Sequence, residues 1–254
     1  MILDPTKIKH SDKGVLTGIF LSKFDEEGLR RLGFSSLKEA FNVLGYALGL
    51  SPRSIKLYRD EFDPIFPNAR LGFHKRKPHP YRLKILDEYK DLDFETFSGL
   101  IGSFVGSQPD VGGESRVRTR RTIDEASFAK RLITGLAAEQ YFETCFSKLD
   151  EFRGYGLQNT TRLGCGYDFR LEPSAGSDFL AVEVKGLAEN AGNISLTPKE
   201  HFVAGAMGDR YFLFVVKNFK KAPSHRIFPN PLSGRLEFTR KESRVVQVSW
   251  LAAV

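Results

Sequence analysis

Apolar residues at Leu37, Ala40, Phe41, Leu44 and Leu48 recur at the i, i+3, i+4, i+7 spacing of one helix face. Ser35-Ser36 stands ahead of the run as a cap and Gly49 closes it. Leu50-Ser51-Pro52 then opens a second helix, because Ser51 is a good N-cap and proline is pre-organised for the first helical position; Pro64 stops it after about Phe62. Two helices joined by a short glycine-containing turn form a helix-turn-helix arrangement. On the second helix Ile55, Tyr58 and Phe62 share one face, which leaves Arg53, Lys56 and Asp60 on the other, with Arg59 beside them. That polar face either lies in a major groove or is merely wet, as in an ordinary helical hairpin.

The pattern changes after Gly102 to Gly113, a stretch with the Gly, Ser and Pro punctuation of a linker. The expected division is a helical module over 1–112 and a second domain over 113–254. The second domain opens with a helix from about Asp124 to Asp150, whose apolar stripe reads Phe128, Leu132, Leu136, Phe142, Phe146 and Leu149. Glu139 falls within that stripe, and a carboxylate aimed at a core is costly unless it is paired or binds a cation. The alternative is that Glu139 reaches water. Downstream, Gly164 to Leu171 reads as a turn feeding a strand, and Phe179 to Lys185 as an interior strand.

The net charge of +7 in 254 residues favours a polyanionic partner without identifying it. Its placement says more: from Arg70 to Lys84, Lys75, Arg76, Lys77 and Arg82 meet no acidic residue, and Arg116, Arg118, Arg120 and Arg121 form a second cluster. Beside the helix pair, Arg53, Lys56, Arg59, Arg70, Lys75, Arg76, Lys77, Arg118, Arg120 and Arg121 are candidate contacts to double-stranded DNA. No window approaches the roughly 18 apolar residues of a membrane span. The N-terminus lacks the pattern of an export signal, so a cytoplasmic location is expected. Cys145 and Cys165 have no metal-knuckle spacing and read as reduced packing residues, and the five histidines show no zinc or HNH spacing.

The chemistry lies in charges placed on strands. Residues two apart on a strand share a face, so Glu183 and Lys185 point one way and Val182 and Val184 the other. If the sheet sets Asp168 beside Glu183, two carboxylates and an ammonium converge. Carboxylates that repel one another at close range suit a hard divalent cation, Mg²⁺ above all. Such a cation serves phosphodiester hydrolysis, with Lys185 orienting or deprotonating the attacking water.

Asp168 followed by Glu183-Val184-Lys185, with a helical glutamate upstream, resembles the signature of the PD-(D/E)XK nuclease superfamily. More narrowly, Gly166-Tyr167-Asp168-Phe169, Val182 to Lys185, Ile194 to Glu200 and the strand-like Tyr211 to Val216 resemble the C-terminal domain of NO VEIN proteins. The resemblance spans roughly Ile123 to Phe219, and Glu-X-Lys alone would carry nothing. It implies a mixed sheet flanked by helices, metal ligation by Asp168, Glu183 and Glu139, and Lys185 as catalytic lysine; Thr197 and Glu200 match a motif to which it assigns no role. Two positions depart from the pattern: Tyr167 stands where the superfamily's name has Pro, and Gly186 where a hydroxyl residue often follows the lysine.

The reading is therefore an α/β protein: a helix-turn-helix-like module joined to a restriction-endonuclease-like domain. It is expected to be an Mg²⁺-dependent endonuclease on double-stranded DNA, a restriction enzyme above all. A structure-selective repair nuclease and a non-catalytic DNA-binding regulator are the alternatives. The segment from Ser224 to Val254 either completes the sheet or builds a subunit interface, which leaves a homodimer open.

Overall fold

The computed structural model describes residues 4–106, 123–174 and 178–242. Five helices come first: α1 (His10–Arg31), α2 (Leu37–Ala47), α3 (Pro52–Phe62), α4 (Pro80–Tyr89) and α5 (Phe94–Gly106). The expected helix pair is present, with Ser36 capping α2 through Glu39 N, Ser51 capping α3 through Ser54 N, and Gly49 turning the chain between them at φ 59°. The linker expected from Gly102 is corrected at its start. Gly102 to Gly106 continue α5, because Leu100, Ile101, Phe104 and Val105 are buried and their packing outweighs the poor helix propensity of the glycines. The remainder of that stretch, including the expected boundary near residue 112, lies outside the described residues.

The second part runs α6 (Ile123–Cys145), β1 (Tyr155–Asn159), β2 (Phe169–Pro173), β3 (Leu180–Gly186), α7 (Pro198–Met207), β4 (Tyr211–Lys217) and β5 (Ser224–Pro229). The strands form one mixed sheet in the order β1-β2-β3-β4-β5, with β3 and β4 parallel and the other neighbours antiparallel. The parallel pair needs a crossover, and α7 supplies it. β5 completes the sheet at its edge, which settles the first part of the Ser224 to Val254 segment; the strand expected from Ser243 lies outside the described residues.

Each face of β3 has its own cover. Val182 and Val184 join the large core, while Ala181 packs with Ala204 of α7 and with Tyr211. α6 lies close against β3: a Cβ at Gly186 would come within 2.7 Å of the Thr134 carbonyl oxygen and 3.1 Å of Ala138 Cβ. A hydroxyl residue after Lys185 has no room there, which accounts for the glycine. The buried face of α6 also differs from the expected stripe. Ile133, Ala137, Ala138 and Phe142 are buried whereas Leu132 is 48 % exposed, and the side chain of Phe128 is outside what is described. Phe142 centres an aromatic cluster with Phe152, Phe169 and Phe214, at ring-centroid distances of 5.9, 4.9 and 4.8 Å. Each such fully buried ring is worth roughly 1.5–3 kcal/mol of transfer free energy.

α6 also meets α2, so the core runs without a break from the helices into the sheet. The junction contains polar ties as well. Glu39 is fully buried and pairs with Lys130 at 2.7 Å, and Asn42 Nδ2 donates to the Phe219 carbonyl oxygen at 2.7 Å.

Candidate active site

The register of the β2/β3 pair sets Phe169 opposite Val182, so the preceding residue, Asp168, comes level with Glu183. Two bonds fix it: Asp168 N donates to the Val182 carbonyl oxygen at 3.0 Å, and Val184 N donates to Asp168 Oδ2 at 2.8 Å. The turn before it is tight. Gly166 takes φ 94°, and a Cβ there would sit 2.8 Å from Val203 Cγ2 of α7. Tyr211 at the start of β4 is fully buried and donates its hydroxyl to the Gly166 carbonyl oxygen at 3.0 Å, so the turn, α7 and β4 are locked together.

Glu183 is only 3 % exposed, and its Oε1 accepts from Lys185 Nζ at 2.5 Å. Lys185 also donates to Glu200 Oε2 at 2.8 Å. Glu200 stands in the first turn of α7, where Thr197 and Glu200 form a reciprocal capping box: Thr197 N donates to Glu200 Oε2 at 3.0 Å and Glu200 N to Thr197 Oγ1 at 3.3 Å. The crossover helix thus presents a carboxylate to the lysine of β3.

Burial dominates the protonation of the cluster. It pushes Asp168 above the usual carboxylate range, against the opposing pull of Val184 N–H and Lys185. Burial and the neighbouring charge of Asp168 push Glu183 up in the same way. Glu139 on α6 rises to about 8, chiefly from burial and then from repulsion by Asp168 and Glu143. Lys185 moves up despite burial, because Glu183 and Glu200 hold its proton, and Glu200 moves down despite burial, because it accepts from Lys185 and Thr197. Asp168 repels Glu139 and Glu183, and Glu200 repels Asp168 and Glu183, around the ammonium of Lys185. Such a set carries surplus negative charge unless it takes up protons or a cation. Among the described residues no group of three or more His, Cys, Asp or Glu side chains is already closed around a point suited to a metal ion.

The basic candidates divide. Arg53 and Lys75 to Lys77 are exposed, with Arg76 stacked over Phe73 at 4.1 Å. Lys56 is exposed and pairs with Asp60 at 2.7 Å. Arg59 is corrected: it is buried, paired with Asp60 at 2.7 Å and Asp63 at 3.4 Å, because α3 is packed by both α1 and α2 and its second face is covered. Asp60, read as part of the wet face, is buried for the same reason. Arg70 is likewise drawn off, into pairs with Asp25 and with Asp63 at 2.9 Å. The run from Arg70 to Lys84 is acid-free in sequence but not in space, since Glu61 pairs with Arg82. Arg118, Arg120 and Arg121 lie outside the described residues.

Fold and site together define a mixed α/β protein with a half-enclosed carboxylate and lysine cluster where α6, β2, β3 and α7 meet. Residues 138–228 match the family model described as Protein NO VEIN, C-terminal, a match that covers less than half of the chain and contains Glu139, Asp168, Glu183, Lys185 and Glu200. No curated protein and no solved structure matches the chain. No helix among the described residues is long and apolar enough to cross a membrane.

Proposed function

We propose that the chain is a metal-dependent nuclease of the PD-(D/E)XK type that hydrolyses phosphodiester bonds in double-stranded DNA, with Mg²⁺ as its cation. The observation that carries this reading is the pairing of Asp168 with the buried Glu183 across two strands, with Lys185 one position further along the same face. Inert sheet interiors have no use for such a cluster, which costs several kcal/mol to desolvate. The NO VEIN C-terminal match over the same residues supports it.

The donor set has the chemistry of a hard divalent cation's ligands: Asp168, Glu183 and Glu139 offer oxygens only, and all three are held above their ordinary pKa chiefly by burial, with repulsion from neighbouring carboxylates added. A cation held there neutralises charge on the scissile phosphate and makes water more acidic. Lys185 orients the attacking water and stabilises the charge that grows on the phosphate. Val184 N–H fixes the Asp168 carboxylate through its Oδ2. The exposed Arg53, Lys56, Lys75, Arg76 and Lys77 serve as phosphate or base contacts, with α2 and α3 as a helix-turn-helix-like support.

A restriction enzyme is the first form of this reading. A structure-selective nuclease is the second, favoured by the burial of Arg59, Asp60 and Glu61, which leaves α3 a narrow face for reading bases. Incubating methylated and unmethylated plasmids with the protein and Mg²⁺, then sequencing the ends, separates them. Cuts at one recurring sequence support the restriction enzyme, cuts confined to junctions or flaps the structure-selective enzyme. Equal cutting in excess EDTA contradicts the metal-dependent reading altogether.

A further inference from the structure

Lys185 is held by two carboxylates, and the nuclease reading uses only one of them. Glu183 Oε1 lies 2.5 Å from its ammonium and Glu200 Oε2 lies 2.8 Å from it. As a cation ligand Glu183 must give up at least part of its bond to Lys185, and an ammonium left without a partner in a half-buried site would compete for it. We propose that Glu200 is the positioning residue for Lys185: it keeps hold of the ammonium when Glu183 turns to a divalent cation. The inference rests on the nuclease reading and names a role for a residue outside the Asp168, Glu183 and Lys185 set.

The placement of Glu200 suits that task. Its side chain is 16 % exposed, and the capping box fixes its carboxylate from the helix side. α7 itself cannot drift, because Val203 abuts Gly166 and Ala204 is fully buried against the sheet. Oε2 accepts from both Lys185 and Thr197 N, so the lysine is referred to the backbone of α7 as well as to its own strand. Glu200 touches neither the proposed water nor the phosphate and acts only through Lys185.

Glu200→Gln separates this role from helix capping, since glutamine also serves the capping box while it lacks the charge that holds an ammonium. In the full-length variant, Mg²⁺ affinity by calorimetry should weaken by roughly 10- to 100-fold, because Lys185 stays on Glu183 and competes with the cation. The cleavage rate at saturating DNA should fall by a similar factor, with DNA affinity in Ca²⁺ and the melting temperature unchanged. Glu200→Asp, which keeps the charge, should recover part of both losses. Wild-type Mg²⁺ affinity and rate in Glu200→Gln would overturn the inference and leave the nuclease reading standing. Thr197→Ala breaks the cap while sparing the Glu200 charge, and an equal loss in that variant would also overturn it, by assigning Glu200 to capping. A wild-type protein that neither binds Mg²⁺ nor cuts DNA would remove the nuclease reading and this inference with it.

Discussion

Two buried glutamates on neighbouring helices shift in opposite directions, because only Glu39 has partners that outweigh its burial. Glu139 is raised from 4.5 to about 8, so the folded state holds its proton more tightly than the unfolded chain does. Its contribution to stability is complete below about pH 4.5 and is lost as the pH rises through about 8. Thermal unfolding without divalent cations should therefore show a melting temperature that declines across that window, and Glu139→Gln should flatten the decline. An unchanged slope would assign Glu139 to solvent. Glu39 shifts the other way: burial works against its charge, but Lys130 and Ser35 hold its pKa below the usual value, so its contribution is present at neutral pH and is lost in acid. Asp168, Glu183 and Lys185 were legible because charges on apolar strands stand out. Glu200 was not assigned a role, since Thr-Pro-Lys-Glu describes an ordinary helix start and only the fold brings that start to Lys185.

At the scale of elements, caps and apolar periodicity were enough to place α2 and α3, but not to say which faces they bury. A single stripe predicts a single partner, whereas α3 has two, and its second face buries Arg59, Asp60 and Glu61 in compensating pairs. Arg59→Ala should consequently destabilise the protein by about 0.5–3 kcal/mol, the loss of one buried partner and its packing, since Asp60 keeps Lys56 and Asp63 keeps Arg70, while Arg53→Ala should leave the melting temperature unaltered. Chemical denaturation of the two variants checks this; equal midpoints would restore Arg59 to the surface. Glu139 was found through a stripe that holds only in part: Leu136, Phe142, Phe146 and Leu149 pack in the core, but Leu132 is exposed. Ile133, Ala137 and Ala138 complete the buried face, and small residues such as the two alanines, which let the helix approach β3, carry little weight in a hydrophobic pattern. Gly186→Ala tests that approach: overpacking against Thr134 and Ala138 should cost roughly 1–3 kcal/mol.

Across the whole molecule, α2 packs both on α3, which carries the exposed Arg53 and Lys56, and on α6, which carries Glu139. Sequence alone, with a change of pattern near Gly102, could show two kinds of structure but not their shared packing. If the surface at Lys75 to Lys77 follows phosphates, Lys75→Ala should weaken binding to all DNA sequences alike and make log affinity against log salt less steep by about 0.9, the release of one fewer condensed counterion. The central claim remains the site itself, and single-turnover cleavage of plasmid DNA in Mg²⁺ by wild type, Asp168→Asn, Glu183→Gln and Lys185→Ala tests it most directly. The wild type should cut, the two carboxylate variants should not, and Lys185→Ala should be slower by roughly 10²- to 10⁴-fold. Wild-type rates in a folded Glu183→Gln protein would contradict that claim.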